Sequence, residues 1–289
     1  MLAAFAAFAA WGVLTAYWKA VDHIPATSIV FHRLLWSLVF LWIVLVVRGN
    51  WSVYVKSLRS PRLLKIHFLS GLLMGINWFV FIWATLNECI VESALGYFLS
   101  PLVIIALGAV FFKEPLSRIQ KIAILTATIG VALQFALLNS IPWVAIVLAL
   151  SFALYGVVRK KSPLGSLTGL TVETTYYLIP AIVWLSIAPR GGWDALGFSV
   201  PTDSALLLLA GVVTALPLLW FAHAARTVSF STIGIIQFLA PSLQFLLGVF
   251  AYGEPLDSTR LYTFILIWIA SGLYIIGVRK HSSRSDSPT

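Results

Sequence analysis

FFKEPLSR, residues 111–118, breaks an apolar run with a glutamate followed at once by a proline, and AYGEPLDS at 251–258 repeats the pattern. Glu114 and Glu254 stand 140 positions apart. So do Pro101 and Pro241 before them, Gly108 and Gly248 between, and Leu116 and Leu256 after. Four matches in one register, inside similar apolar segments, point to an internal duplication.

Composition says what solvent the two copies meet. Hydrophobic residues make up 60% of the 289 and charged residues 10%, against roughly 45–50% and about 25% in a soluble domain. So few charges cannot cover so large a core, and lipid must bathe much of the surface. The formal charge of +9 does not indicate nucleic acid, because the cations fall in short clusters between apolar runs and not along one exposed face. Cys89 is the single cysteine, which excludes an intramolecular disulfide. The first apolar run ends at Tyr17-Trp18-Lys19 without a small-residue cleavage site, and reads as an uncleaved span.

A helix needs roughly 20 apolar residues to cross the hydrocarbon layer. Ten segments qualify: about 2–20, 26–47, 64–86, 91–112, 119–138, 142–158, 167–188, 204–225, 231–252 and 260–278. The basic 48–63 and Gly/Pro-containing 189–203 stretches read as the longest connections, and the polar end 281–289 as a disordered cytoplasmic tail. With a cytoplasmic N-terminus, fifteen Lys and Arg fall on inner loops and tail, and only Lys19, Arg190 and Arg260 on outer ones. That bias puts both termini in the cytoplasm. Five spans per half is odd, so residues 141–280 enter the bilayer upside down relative to 1–140. The expected fold is therefore all-α, a polytopic membrane protein of ten transmembrane helices in two inverted five-helix repeats. Such halves enclose a site near the midplane that rocking exposes to each side in turn; duplication without transport is the alternative. Each Glu-Pro reads as a helix terminator or, alternatively, as a gate element.

Charges inside spans are costly, so each marks a candidate. Arg33 lies about seven residues into the second span from outside, and Glu173 at similar depth in the seventh from inside, again 140 apart. The offset in depth argues against pairing them. Arg33 is expected to meet Glu92 or Glu88, and Glu173 to meet Arg159, Lys160 or Arg226, as gate latches or as static links between helices. His32, beside Arg33, reads as a helix–helix hydrogen bond. Aromatic and amide residues near mid-span, Asn77, Trp78, Tyr97, Tyr155, Gln237 and Gln244, are candidates for a cavity wall suited to an amphipathic or aromatic solute. Pro101, Pro217 and Pro241 interrupt helical hydrogen bonding and free carbonyls toward a cavity or a neighbouring helix. No phosphate loop, HExxH or GxSxG occurs and the five histidines form no ligand pattern, so neither a cofactor nor a metal is expected.

These segments together resemble the EamA family of the drug/metabolite transporter superfamily, in its RarD branch. The resemblance is carried by AWGVLTAYWK at 10–19, FHRLLWSLVF at 31–40, NWFVFIWA at 77–84, ESALGYFLSPL at 92–102, IPWVAIVLALSFALYGVVRKK at 141–161, GLTVETTYYLIP at 169–180, GVVTALPLLWFAHAAR at 211–226 and STIGIIQFLAPSLQFLLGVFAYGEPL at 231–256. It implies a cavity lined by the third, fourth, eighth and ninth helices, gates from the first, second, sixth and seventh, and the fifth and tenth outermost. By position Asn77, Trp78, Tyr97, Gln237 and Gln244 would face the cavity, and Arg33 and Glu173 would ride on gates. The sequence departs from many relatives at Ser28, where they carry an acid five positions before the arginine. The expectation is a secondary transporter exporting a small organic solute such as a drug, amino acid or metabolite, with protons as candidate coupling ion through Glu92 or Glu173. A membrane enzyme with a lipid-like substrate and a non-transporting scaffold or sensor are the rivals. The bilayer is the one sure partner, and oligomeric state, including a homodimer, is left open.

Overall fold

The computed structural model describes residues 1–87, 89–136, 141–188, 201–253 and 258–285, and the regular elements among them are helices. α1 (Leu2–Val13) and α2 (Thr15–Lys19) run on as one apolar stretch with a step at Leu14. Then come α3 (Ala26–Val47), the short α4 (Trp51–Leu58), α5 (Pro61–Leu86), α6 (Ile90–Phe111), α7 (Arg118–Phe135) and α8 (Trp143–Lys161). α9 (Ser166–Thr175) and α10 (Leu178–Ile187) follow, bent by 43° to each other. α11 (Pro201–Thr227), α12 (Phe230–Gln237), α13 (Leu239–Leu246), a π-helical turn (Leu247–Ala251) and α14 (Ser258–Ser285) complete the chain.

Eight stretches among the described residues are long and apolar enough to span a bilayer, or nine if the bent pair α9–α10 counts as one. α7 stands outside that set because Arg118, Gln120 and Lys121 occupy its first turn. Large apolar side chains such as Phe79, Val110, Ile129, Ile179 and Phe250 are more than half exposed. Such helices, with every backbone bond made internally, suit lipid and not water. The molecule is a polytopic helical membrane protein.

Three details differ from the sequence reading. The 48–63 connection contains α4, because Tyr54 and Ser57 recur on one face and bury there. Ser60 then caps α5, accepting from the Leu63 amide, with Pro61 at the first helical position. The tail does not begin at 281, since α14 continues through Ser285. Glu88, the 189–200 connection and Glu254 with Pro255 lie outside the described residues.

The core forms where α1, α3, α8, α11 and α12 converge. Phe8, Leu41, Tyr155, Phe221 and Phe230 are all essentially inaccessible there. Tyr155 and Phe221 stack with centroids 6.0 Å apart, and Phe8 meets Phe221 edge-on at the same distance. α7 and α14 pair at the periphery through Gln134 donating to Thr263 at 2.9 Å and Thr263 donating to the Gly130 carbonyl at 3.1 Å. An apolar recess of about 400 Å³ between α3 and α11, lined by Ile43, Val47, Leu216 and Trp220 among others, faces the lipid side.

Contacts sort the helix termini into two ends. One, rich in cations, brings together α4, the start of α5, the ends of α6, α8 and α11, and the starts of α9 and α12. The other gathers Lys19, His23, Arg33, Asp203 and Tyr252.

Candidate functional site

At the cation-rich end a buried polar cluster joins α5, α8 and α9. Glu173 sits in the last turn of α9, just before the bend at Tyr176–Tyr177. The Tyr176 hydroxyl donates to the Leu64 carbonyl at 3.0 Å and the Tyr177 hydroxyl to that of Gly71, so both bend residues are moored to α5. The Glu173 carboxylate, 3% exposed, accepts from Arg159 at 3.0 Å, His67 Nδ1 at 2.9 Å, Ser70 and, at 3.3 Å, Tyr155. The other ring nitrogen of His67 lies 3.0 Å from the Ser162 hydroxyl. A buried ion pair tolerates low dielectric only when further hydrogen bonds satisfy its remaining atoms, and Glu173 has three besides the arginine.

Arg159 is wholly buried and also donates to the Ser166 carbonyl at 3.1 Å. Gly169 makes that possible: a Cβ there would collide with the Arg159 guanidinium and the His67 ring. From α11, Arg226 donates to the Ser162 carbonyl at 2.8 Å and to that of Leu164, closing the turn beneath the cluster.

A second tie lies at the same end. α6 stops at Phe111, and Lys113 takes a left-handed backbone, φ 49°. That turn aims Glu114 at the start of α12. Its oxygens accept from the Phe230 amide at 2.7 Å, the Ser231 amide at 2.8 Å and the Ser231 hydroxyl at 2.7 Å. A carboxylate so placed satisfies free amides of the first turn and complements the positive end of the helix dipole. Lys160 stands 3.8 Å from Glu114 and donates to the Val228 carbonyl at 2.8 Å. Glu114 is therefore more than a terminator. It fastens the end of one apolar run to the start of another.

The opposite end is built differently. The Arg33 guanidinium lies over the rings of Trp78 at 4.9 Å and Trp18 at 5.7 Å. Contacts of this kind contribute about 0.5–2 kcal/mol each. Tyr97 is near enough to interact with it electrostatically. No carboxylate among the described residues lies within ion-pair reach, and the buried Nε meets no acceptor. The expected pairing of Arg33 with Glu92 is thus corrected: two indole faces hold the cation, and one Glu92 oxygen is itself buried without a donor. Rim contacts close the periphery, with His23 against Asp203 at 2.9 Å, Tyr17 donating to the Leu206 carbonyl, and Lys19 over Tyr252 at 3.8 Å.

Comparison with known proteins gives this architecture a lineage. The EamA-like transporter family matches residues 1–136. The uncharacterized transporter YojE of Bacillus subtilis is 40% identical over 284 residues, covering 97% of this chain and 94% of YojE. The chain belongs to the EamA-like transporter family. The RarD proteins of Salmonella typhi and Escherichia coli K12 are 39% and 37% identical over 276 residues, covering 96% of this chain and 94% and 93% of theirs. A solved crystal structure superposes with TM-score 0.73 over 96% of this chain and 97% of its own at 18% identity, a likeness of fold alone.

Within this EamA-like transporter the expected cavity residues divide. Tyr155 is 1% exposed and belongs to the Glu173 cluster, because its hydroxyl finds the carboxylate and not a void. Asn77 commits its amide to the Leu148 carbonyl and the Ser151 hydroxyl, each at 2.9 Å, linking α5 to α8. Gln237 is buried and donates to Ser100 at 2.9 Å, linking α12 to α6. Trp78 lies against the Arg33 guanidinium and Tyr97 within its electrostatic reach, while Gln244 is half-buried on α13. Pro101 lies inside α6, Pro217 inside α11 and Pro241 in α13. A proline cannot donate four residues back, so the carbonyls of Tyr97 and Gln237 lose their helical donors. His67, Ser70 and Ser162 escaped the sequence reading. The trace they left is a histidine and a serine three apart on one apolar helix, which share a face.

Proposed function

We propose that this transporter works by alternating access as a secondary carrier of a small organic solute, most simply an exporter, and that its cation-rich end is the cytoplasmic one. On this reading ten spans form two inverted halves, 1–140 and 141–280, with both termini cytoplasmic in the cell membrane. The observation that carries the proposal is the buried Glu173 cluster. It welds α5 of the first half to α8 and α9 of the second at one end, whereas the position 140 residues earlier, Arg33, meets no carboxylate among the described residues at the other. A carrier closed to the cytoplasm and open outside has this asymmetry.

The repeat finds support in the backbone. Lys113 and Gly253, 140 apart, both adopt left-handed φ just after an apolar run. Lys160 lies over Phe112 at 4.9 Å, as Lys19 lies over Tyr252, and those rings are also 140 apart. The test is flux into proteoliposomes across a panel of drugs, amino acids and organic acids, with and without an imposed pH gradient. Wild-type protein is expected to move at least one solute faster than empty vesicles and E173Q to slow it. Flux equal to empty vesicles throughout would remove the proposal.

A further inference from the structure

Arg33 presents a charge with no counter-charge among the described residues. A guanidinium stays protonated in any protein environment and offers five N–H donors in a planar fork. Charges buried in proteins are paired or hydrogen-bonded, since an unpaired one forfeits its hydration without return. Arg159, at the other end, meets a carboxylate and a carbonyl, although its Nε too is buried without an acceptor. Arg33 meets neither: the faces of Trp18 and Trp78 flank it, and no acid among the described residues reaches it.

Nor is the site sealed: Arg33 is only part-covered, and Tyr97 keeps 43% of its surface accessible. The walls are indole, phenol and the Phe81 ring, whose centroid lies 6.3 Å from that of Tyr97.

We infer that Arg33 is the anchor for the carboxylate of the transported solute, which is an amphipathic organic acid with an aromatic or aliphatic body. The missing acceptor arrives with the ligand. A carboxylate fits the guanidinium fork in a bidentate way, and the indole faces that now hold the cation supply apolar walls for the body. A phosphate would ask for more, because such sites gather several cations or backbone amides, and here one guanidinium stands among rings. This assignment deepens the transport reading and rests on it for the word solute; the binding chemistry stands by itself.

The experiment is equilibrium binding to the purified full-length protein in detergent, followed by thermal shift and tryptophan fluorescence. The probes are phenylacetate and octanoate, each against its primary amide, with inorganic phosphate and phosphatidylglycerol as competitors. At least one acid is expected to bind roughly 10- to 100-fold more tightly than its amide, the range for a charge-assisted pair. R33Q should abolish that preference and R33K should keep part of it, since lysine retains the charge but not the fork. The acid-versus-amide contrast is read on wild-type protein, so it survives a variant that fails to fold. Equal binding of acid and amide, no binding of either acid, or displacement by phosphate or phosphatidylglycerol as effective as by the acids would overturn the assignment. Flux of a neutral solute with no acid binding sinks this inference and spares the transporter; acid binding without any flux does the reverse.

Discussion

Arg33 and Glu173 occupy positions 140 apart in the chain and at opposite ends of the molecule, yet their fates differ. Glu173 is met by an arginine, a histidine, a serine and a tyrosine drawn from three helices. Arg33 is met by two ring faces and, among the described residues, by no carboxylate. Two charges 140 positions apart thus have a buried ion pair at one end and, among the described residues, only ring faces at the other. On the proposed reading the difference has a use: a carrier gains from a charge left open to its solute, where a static scaffold gains nothing.

Four single substitutions and one double change test this contrast, the single ones in descending order of effect. E173Q should be the most damaging, because it strands a fully buried guanidinium: breaking such a pair costs about 3–5 kcal/mol, read as a large fall in unfolding temperature in detergent. The double change E173M with R159M should recover much of that stability while leaving flux impaired, which separates the lock from mere glue. G169A should come next, since its Cβ must displace Arg159 or His67; overpacking of this kind costs about 1–3 kcal/mol, seen in the same melt. E114Q keeps the shape but removes the charge at the start of α12, worth about 1 kcal/mol, and should show as faster amide hydrogen exchange at Phe230 and Ser231. R33Q should have the smallest effect on stability, none or a slight gain, because no partner is orphaned. A loss with R33Q as deep as that with E173Q would erase the distinction between the two ends.

How far residues alone led depends on what each needed. Glu173 and Arg33 stood out because any charge inside an apolar run is expensive, whatever surrounds it. Arg159 was one of three partners named for Glu173, since it lies within a few turns of the same loop. His67 was overlooked because its chain neighbours at the start of α5 look like ordinary interface residues, and only the rotation of α5 against α8 brings it to the carboxylate. Tyr155 was misassigned for a related reason: a tyrosine beside a glycine near mid-span fits a cavity wall as well as a buried donor. The fifth span shows the same limit, since Arg118, Gln120 and Lys121 leave α7 helical but weaken it as a membrane span.

Hydropathy, the cation bias and the 140-residue register are properties of the chain in one dimension; the first sufficed for a helical membrane protein and its two costly charges, and the register supplied the expectation of a duplicated plan. Which charge is satisfied could not be read there. Ion pairs and hydrogen bonds reach only a few ångströms, so they depend on how each helix is turned and how deep it sits, and those are set jointly by every neighbour in the bundle. That is why the lock at Glu173, the clasp at Glu114 and the vacancy at Arg33 emerged only once the helices were packed.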